Sequence, residues 1–307
     1  TGPARDVTVP AARPARAIRR RRGRAAGTPV GAGGRVGGGV GEAMATIVCI
    51  KWGTLFGPEH VNRLYSGVRR NLAVPCRFLC MTEDAAGLHP DIEVLQLAQE
   101  PYQAEMEAAL AVANRQGAMR KVSLFRPGLI AGLEGPVLGF DLDVVVTGPL
   151  DELLAFAPGR VAMRADWVEA RRGRPTGHGS VFRYDPALHP WLYATLAADP
   201  AGAVARARGS EQRYTSRLAQ ERGAFAYLPP DWVVSFKHDC LRWPPAAWLA
   251  APRLPPGARV VCFHGRPKME EAVDGWHGNL LRHARPCAWL RDHWIDRARA
   301  DLGPGWA

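Results

Sequence analysis

The sequence predicts an α/β fold, and two observations carry that expectation. Residues 45 to 143 alternate short apolar runs with longer amphipathic ones, the pattern of strands and helices taken in turn. One of those runs ends in Phe140-Asp141-Leu142-Asp143, followed by Val144, Val145 and Val146. This puts Asp141 and Asp143 at the end of an apolar strand, where side chains alternate with period 2, so both carboxylates face the same way. Such a pair of hard oxygen ligands suits a divalent cation that also holds phosphates, although Asp-x-Asp also occurs as a helix cap or a solvated strand end.

The elements follow in order. Residues 46–52 form an apolar strand, and a Gly-punctuated turn leads to a helix at about 59–71 whose Val61, Leu64, Tyr65 and Val68 share one stripe. That opening is typical of α/β nucleotide-binding domains. Strands at 76–82 and 92–97, a helix at about 116–131 and a strand at 136–141 complete the first half. Beyond it we expect helices near 187–197 and 210–221, strand-like segments at 225–229 and 232–238, and a Pro-rich stretch from Pro229 to Pro256. A buried strand follows at 260–263, and a final helix at 286–302 starts at Pro286, with Trp289, Leu290, His293, Trp294 and Arg297 at helical spacing.

Taken together, the chain divides into a basic tail over 1–43 and one domain over 44–307, with a nucleotide-binding half (44–143), an acceptor half (144–285) and the closing helix. The tail holds nine Arg against Asp6 and Glu42, a net of +7 out of the chain's +11. It is rich in Gly and Ala and has no aromatic residue, so it is expected to be disordered. Its AIRRRRGR run reads either as a tether for nucleic acid or anionic lipid, or as an upstream extension with Met44 the natural first residue. The folded part lacks a basic stripe with interleaved aromatics, so no nucleic-acid partner is expected. No apolar run approaches the roughly 18 residues that span a bilayer, and no signal peptide is evident; a cytoplasmic protein is the expectation. Six cysteines, at 49, 76, 80, 240, 262 and 287, read as structural thiols.

Several motifs resemble glycosyltransferases of the GT-A fold, most closely family 8, the glycogenin-like and galactosyltransferase-like enzymes. The resemblance covers about residues 45 to 270. Asp141-Leu142-Asp143, with the apolar run before it and GPLDEL after it, is similar to the family's metal motif. VVCFHGRPKM at 260–269 is similar to its late His-x-Gly-x-x-Lys motif, with Met269 where Pro is usual. GHGSVFRYDP at 177–186 stands where the family has an Asn-containing sugar-binding loop, with His178 in place of Asn. GSEQRYTSRL at 209–218 resembles the acidic-Gln segment beneath the anomeric carbon, with Glu211 for the more usual Asp.

The resemblance implies a transferase that moves a sugar from a nucleotide-diphosphate donor, a UDP-sugar, to an unidentified acceptor with retention of configuration. It implies Mn²⁺ or Mg²⁺ as cofactor, held by Asp141, Asp143 and His264, with Lys268 and Gly265 at the diphosphate and Lys121 at a phosphate or the sugar. Leu142, His178 and Ser180 join the expected donor contacts, and Glu211 and Gln212 the catalytic ones. Trp52 and Gly53, at the end of the first strand, are where an open α/β sheet receives its nucleotide, and Asn62 is a candidate for base or ribose. Arg120 is expected to face away from Lys121. Plainer roles remain open: His264 as a packed strand-end imidazole, Trp52 as core, Glu211 as a helix-start charge after Ser210. Two other functions fit the sequence less well. A sugar nucleotidyltransferase normally carries a Gly-rich basic loop after its first strand, which KWGTLFGPEH is not. A catalytically silent sugar-nucleotide binder is disfavoured by the joint presence of Asp141, Asp143, His264 and Lys268.

Overall fold

The structure, a computed structural model, describes residues 44–115, 119–133, 135–173, 176–242, 244–279 and 282–297. The expectation of a disordered tail over 1–43 lies outside these residues. The described residues form one compact unit. In chain order the elements are β1 (Ala45–Lys51), α1 (Pro58–Arg70), β2 (Cys76–Thr82), β3 (Ile92–Gln96), α2 (Gln103–Val112), β4 (Val137–Phe140), β5 (Val144–Val146), α3 (Asp151–Ala155), β6 (Val161–Ala165), α4 (Trp167–Arg171), β7 (Gly177–Tyr184) and α5 (Trp191–Ala198). They continue with α6 (Pro200–Ala207), α7 (Glu211–Glu221), β8 (Phe225–Tyr227), β9 (Val233–Ser235), α8 (Ala246–Leu249), β10 (Val260–Cys262), α9 (Met269–Asp274), β11 (Trp276–Asn279), β12 (Arg282–Ala284) and α10 (Ala288–His293). A 3₁₀ turn covers Arg120–Phe125 and a wide helical turn Phe236–Cys240.

Seven strands make the main sheet in the order β3-β2-β1-β4-β7-β6-β8, and β5-β10-β9 make a second sheet. β3, β2, β1 and β4 run parallel, β7 is antiparallel to both its neighbours, and β8 is parallel to β6. Both faces of the main sheet are covered, as strands apolar on every residue require. Along β1, Ala45, Ile47 and Cys49 pack with Val61, Leu64 and Val68 of α1, while Val48 and Ile50 pack with Met106 and Leu110 of α2 and Val122 of the 3₁₀ turn. The same alternation works in β5: Val144 and Val146 join the first of these cores, and Val145 joins a third with Phe236, Val261, Phe263 and Leu290.

The first half of the sheet and α1 stand where the sequence puts them. Four expectations change. The helix at 116–131 is instead the short 3₁₀ turn, and the long helix before β4 is α2, which starts after Pro101 and buries Gln103, Met106 and Leu110 on one side. Asp141, Leu142 and Asp143 are not strand: they join β4 to β5, carrying the chain from one sheet to the other. GHGSVFRY is a central strand rather than a loop, because its glycines mark crowding. A Cβ on Gly177 would stand 2.7 Å from Met163 Sδ and 3.0 Å from Ser216 Cβ. Within 286–302 the helix covers Ala288–His293, with Leu290 buried; residues from 298 on lie outside the described ones. All six cysteines are free thiols, five of them buried. Cys49 and Cys80 are paired across β1 and β2, and burial pushes the Cys49 thiol up.

Candidate active site

β1 has β2 on one side and β4 on the other, so the chain's course reverses between β1 and β4. In open α/β sheets the crevice beyond the carboxyl ends of the strands at such a reversal is where ligands bind. A cleft of about 1150 Å³ opens there. It is lined by Trp52 to Phe56 after β1, by Asp141 to Asp143 after β4, by Asp166, Val168 and Glu169 around the start of α4, and by Arg208 to Arg213 leading into α7. Arg115, Arg120 and Lys121 complete the lining.

Backbone pairing fixes the acidic segment between the two sheets. The Asp141 N–H donates to Ser180 O at 2.9 Å, extending the β4/β7 ladder, and Phe263 N–H donates to Asp143 O at 2.8 Å, extending β10 alongside β5. The second bond brings the HGRPK turn against the Asp-x-Asp segment. Lys268 Nζ donates to Asp143 Oδ2 at 2.8 Å and to Phe263 O at 3.3 Å. On the other side Lys121 Nζ donates to Asp141 Oδ1 at 2.7 Å and to Gly179 O at 3.1 Å, and sits 3.4 Å from Glu211 Oε1. Each aspartate thus has its own lysine. Asp141 Oδ2 and Asp143 Oδ1 accept no hydrogen bond among the described residues.

Around Lys121 the network is closed by α7. Glu211 Oε2 accepts the Lys121 backbone N–H at 3.1 Å, and Gln212 accepts from Gly179 N–H through Oε1 while its Nε2 donates to Asp166 Oδ2. A Cβ on Gly179 would lie 3.3 Å from Lys121 Nζ, so the strand leaves room for the lysine by having no side chain there. Burial pushes the Glu211 carboxyl up against the pull of Lys121. For Lys121 burial alone would lower the pKa, but Asp141 and Glu211 outweigh it and the ammonium is held well above its ordinary range. Asp166 is drawn below the usual carboxylate range: burial opposes this, but N–H bonds from Glu169 and Val168 overcome it.

His264 follows Phe263, whose N–H donates to the Asp143 carbonyl. Its ring stacks on Trp167 at 5.0 Å, its Nε2 meets Ser235 Oγ at 2.8 Å, and His178 and His238 lie 5.0 and 5.6 Å away. Burial, followed by the neighbouring His178, Lys237 and His238, lowers its pKa to about 3 and keeps the imidazole neutral. No group of three or more His, Cys, Asp or Glu side chains able to hold a metal occurs among the described residues. Asp141 and Asp143 both line the cleft.

Of the other residues singled out from sequence, Trp52, Gly53 and Leu142 line the cleft, with Trp52 43% exposed and Arg120 over its ring at 5.6 Å. Gly53 has φ +62° and donates its N–H to Glu83. His178 packs edge-on against Trp167, Ser180 contributes its carbonyl to Asp141, and Gly265 turns the HGRPK segment at φ +82°. Asn62 is elsewhere: it donates to Gly87 O and accepts from His89 N–H, pinning the loop before β3. Arg120 lines the cleft beside Lys121, against expectation, with its guanidinium over Trp52. Asp166, Arg115 and Arg208 were not foreseen. The N-cap position of Asp166, just ahead of a short helix, was a readable signal; the two arginines had none.

No protein-family model and no curated protein matches this sequence. Its mixed α/β fold is similar to those of solved glycosyltransferases. A galactosyltransferase, LgtC, in complex with donor and acceptor sugar analogs, is 13% identical over 76% of this chain and 90% of that one, with a TM-score of 0.48. Mouse xyloside xylosyltransferase 1 is 12% identical over 73% and 98%, at 0.44. The glycosyltransferase GlyE of Streptococcus pneumoniae TIGR4 is 11% identical over 73% and 56%, at 0.45. What the cleft can do follows from its own residues.

Proposed function

We propose that the cleft binds a nucleotide-diphosphate sugar, a UDP-sugar, and transfers its glycosyl group to an acceptor hydroxyl. The observation that carries this reading is the pairing of Asp141 with Lys121 and of Asp143 with Lys268 at the switch point of the sheet. Two carboxylates that each keep one oxygen without a hydrogen bond fit a hard cation, which is commonly held by one or two carboxylates together with substrate phosphates. Bound there, Mn²⁺ or Mg²⁺ would neutralise charge on the diphosphate. His264, a neutral imidazole next to Phe263, is the nitrogen ligand that the motif resemblance adds to this pair.

In the transfer the glycosidic C–O bond breaks toward the nucleoside diphosphate, which leaves with the electron pair, and the acceptor oxygen bonds to the anomeric carbon and gives up its proton. Lys121 and Lys268, each held on one of the two aspartates, are placed to meet the growing negative charge. Glu211 and Gln212, across from Asp141, supply the polar floor for an oxocarbenium-like centre, and the motif resemblance favours retention. Trp52 offers its exposed face to the base. Incubation with a panel of nucleotide sugars and Mn²⁺, reading released nucleoside diphosphate, tests the proposal. Release from one donor supports it; no release and no UDP binding by calorimetry overturns it.

A further inference from the structure

The cationic side chains of the cleft fall into two sets. Lys121 pairs with Asp141 and Glu211, Arg120 with Glu107 at 3.5 Å, and Arg213 with Glu169 at 3.6 Å. Arg115 and Arg208 also line the cleft, are exposed, and have no carboxylate within salt-bridge distance among the described residues. They come from different segments but stand together. A Cβ on Gly209 would lie 2.7 Å from Arg115 Cγ, so the Arg115 stem rests on the residue directly after Arg208. Arg208 itself has φ +53°, left-handed, and is followed by Gly209 at +63°. An L side chain is strained there, as Gly at the same helix end would not be.

In the chain of contacts they lie beyond Glu211 as counted from Asp141. From Asp141 the contacts run to Lys121, then to Glu211, and only then back along Ser210 and Gly209 to Arg208. We infer that Arg115 and Arg208 form a subsite for an anionic group, a phosphate or a carboxylate, on the acceptor. This rests on the glycosyl-transfer reading for the word acceptor, but not for the anion site. Two guanidiniums facing one anion give charge-assisted, directional hydrogen bonds that a neutral hydroxyl cannot replace.

The test measures binding of glucose 6-phosphate, glucuronate and glucose by calorimetry, with and without saturating UDP. The parent should bind both anionic sugars at least about tenfold more tightly than glucose, with UDP present as without it. Arg115→Ala should weaken the anions about tenfold, and Arg208→Lys should retain part of the affinity. Arg208→Gly should lose it while raising the melting temperature, because the left-handed strain is relieved; a purely structural arginine would not separate those two readings. Equal binding of glucose and the anions, or unchanged anion binding in Arg115→Ala and Arg208→Gly, overturns the subsite. Anion binding that UDP abolishes shows that the anion belongs to the diphosphate end and overturns it as well. Failure of UDP itself to bind would count against the glycosyl-transfer reading, and the anion comparison without UDP would still decide the subsite.

Discussion

Asp143 and Lys268 stand 125 residues apart in sequence, and their side chains meet at 2.8 Å, because Phe263 N–H just after β10 donates to the Asp143 carbonyl and sets the HGRPK turn beside the Asp-x-Asp segment. The contact joins the two motifs most characteristic of the sequence.

Asp143→Asn therefore removes one of the two carboxylates at the cleft while keeping the shape. Donor turnover should fall by about tenfold or more, the scale of one lost charged interaction, with the melting temperature little changed. Mn²⁺ should raise the parent's melting temperature chiefly together with UDP, and much less in this variant. Undiminished activity in excess chelator would show that the aspartates work without a cation.

Lys268→Ala separates donor binding from metal binding. If the ammonium turns to the diphosphate, affinity for UDP should fall about tenfold to hundredfold, while the Mn²⁺ concentration needed for half-maximal activity moves less. Titration calorimetry reads the first and activity the second; equal UDP affinity in parent and variant would assign Lys268 to holding Asp143 alone.

Lys121→Met leaves Asp141 and the mostly buried Glu211 without their shared cation. The cost to stability should approach about 3 kcal/mol, toward the lower end for breaking a buried pair because Asp141 is partly exposed. Glu211→Gln should be milder, since an amide oxygen can still accept the Lys121 backbone N–H, and adding it to Lys121→Met should recover part of the loss. Denaturant unfolding of the four proteins measures the coupling, and simple additivity would deny it.

Much of this arrangement is legible in the amino-acid sequence. β1, α1, β2, β3 and β4 have regular apolar periods, and nothing tertiary opposes them. The candidate site stands out in the sequence where unusual side chains share a short run, as Asp141 and Asp143 do beside the cleft, with Lys268 meeting Asp143. It is hidden where contacts are long-range. Arg115 gains its place only by resting on Gly209, and Gly177 and Gly179 look like loop residues until Met163, Ser216 and Lys121 are seen to fill their space. Asn62 misleads for the opposite reason: a polar residue early on α1 is equally able to bind a ligand or a loop, and Gly87 and His89 are the partners it has.

Gly139 on β4, just ahead of Asp141, tests that lesson. A Cβ there would stand 2.2 Å from the Phe182 ring on the neighbouring β7, too close to form without displacing it. Gly139→Ala should cost about 1–3 kcal/mol by overpacking. Its stability should recover on adding Phe182→Leu, and a Gly139→Ala protein as stable as the parent would show that the ring gives way freely.

His189, buried away from the cleft, sets the expected response to acid. Its Nδ1 accepts Asp185 N–H at 2.9 Å and its Nε2 faces Gly159 O at 3.3 Å, an arrangement that suits the neutral ring. Burial lowers its pKa, although the Gly159 and Asp185 contacts pull the other way. The folded protein thus takes up this proton less readily than the unfolded chain. Stability is fully present above the unfolded value of about 6.5 and declines as the pH falls below it. The melting temperature should drop between pH 7 and pH 5, and His189→Gln, which cannot be protonated, should flatten part of that slope even if it lowers the starting point. An unchanged slope in the variant would assign the acid response to other groups, of which His178, His238 and His293 are shifted in the same direction by burial.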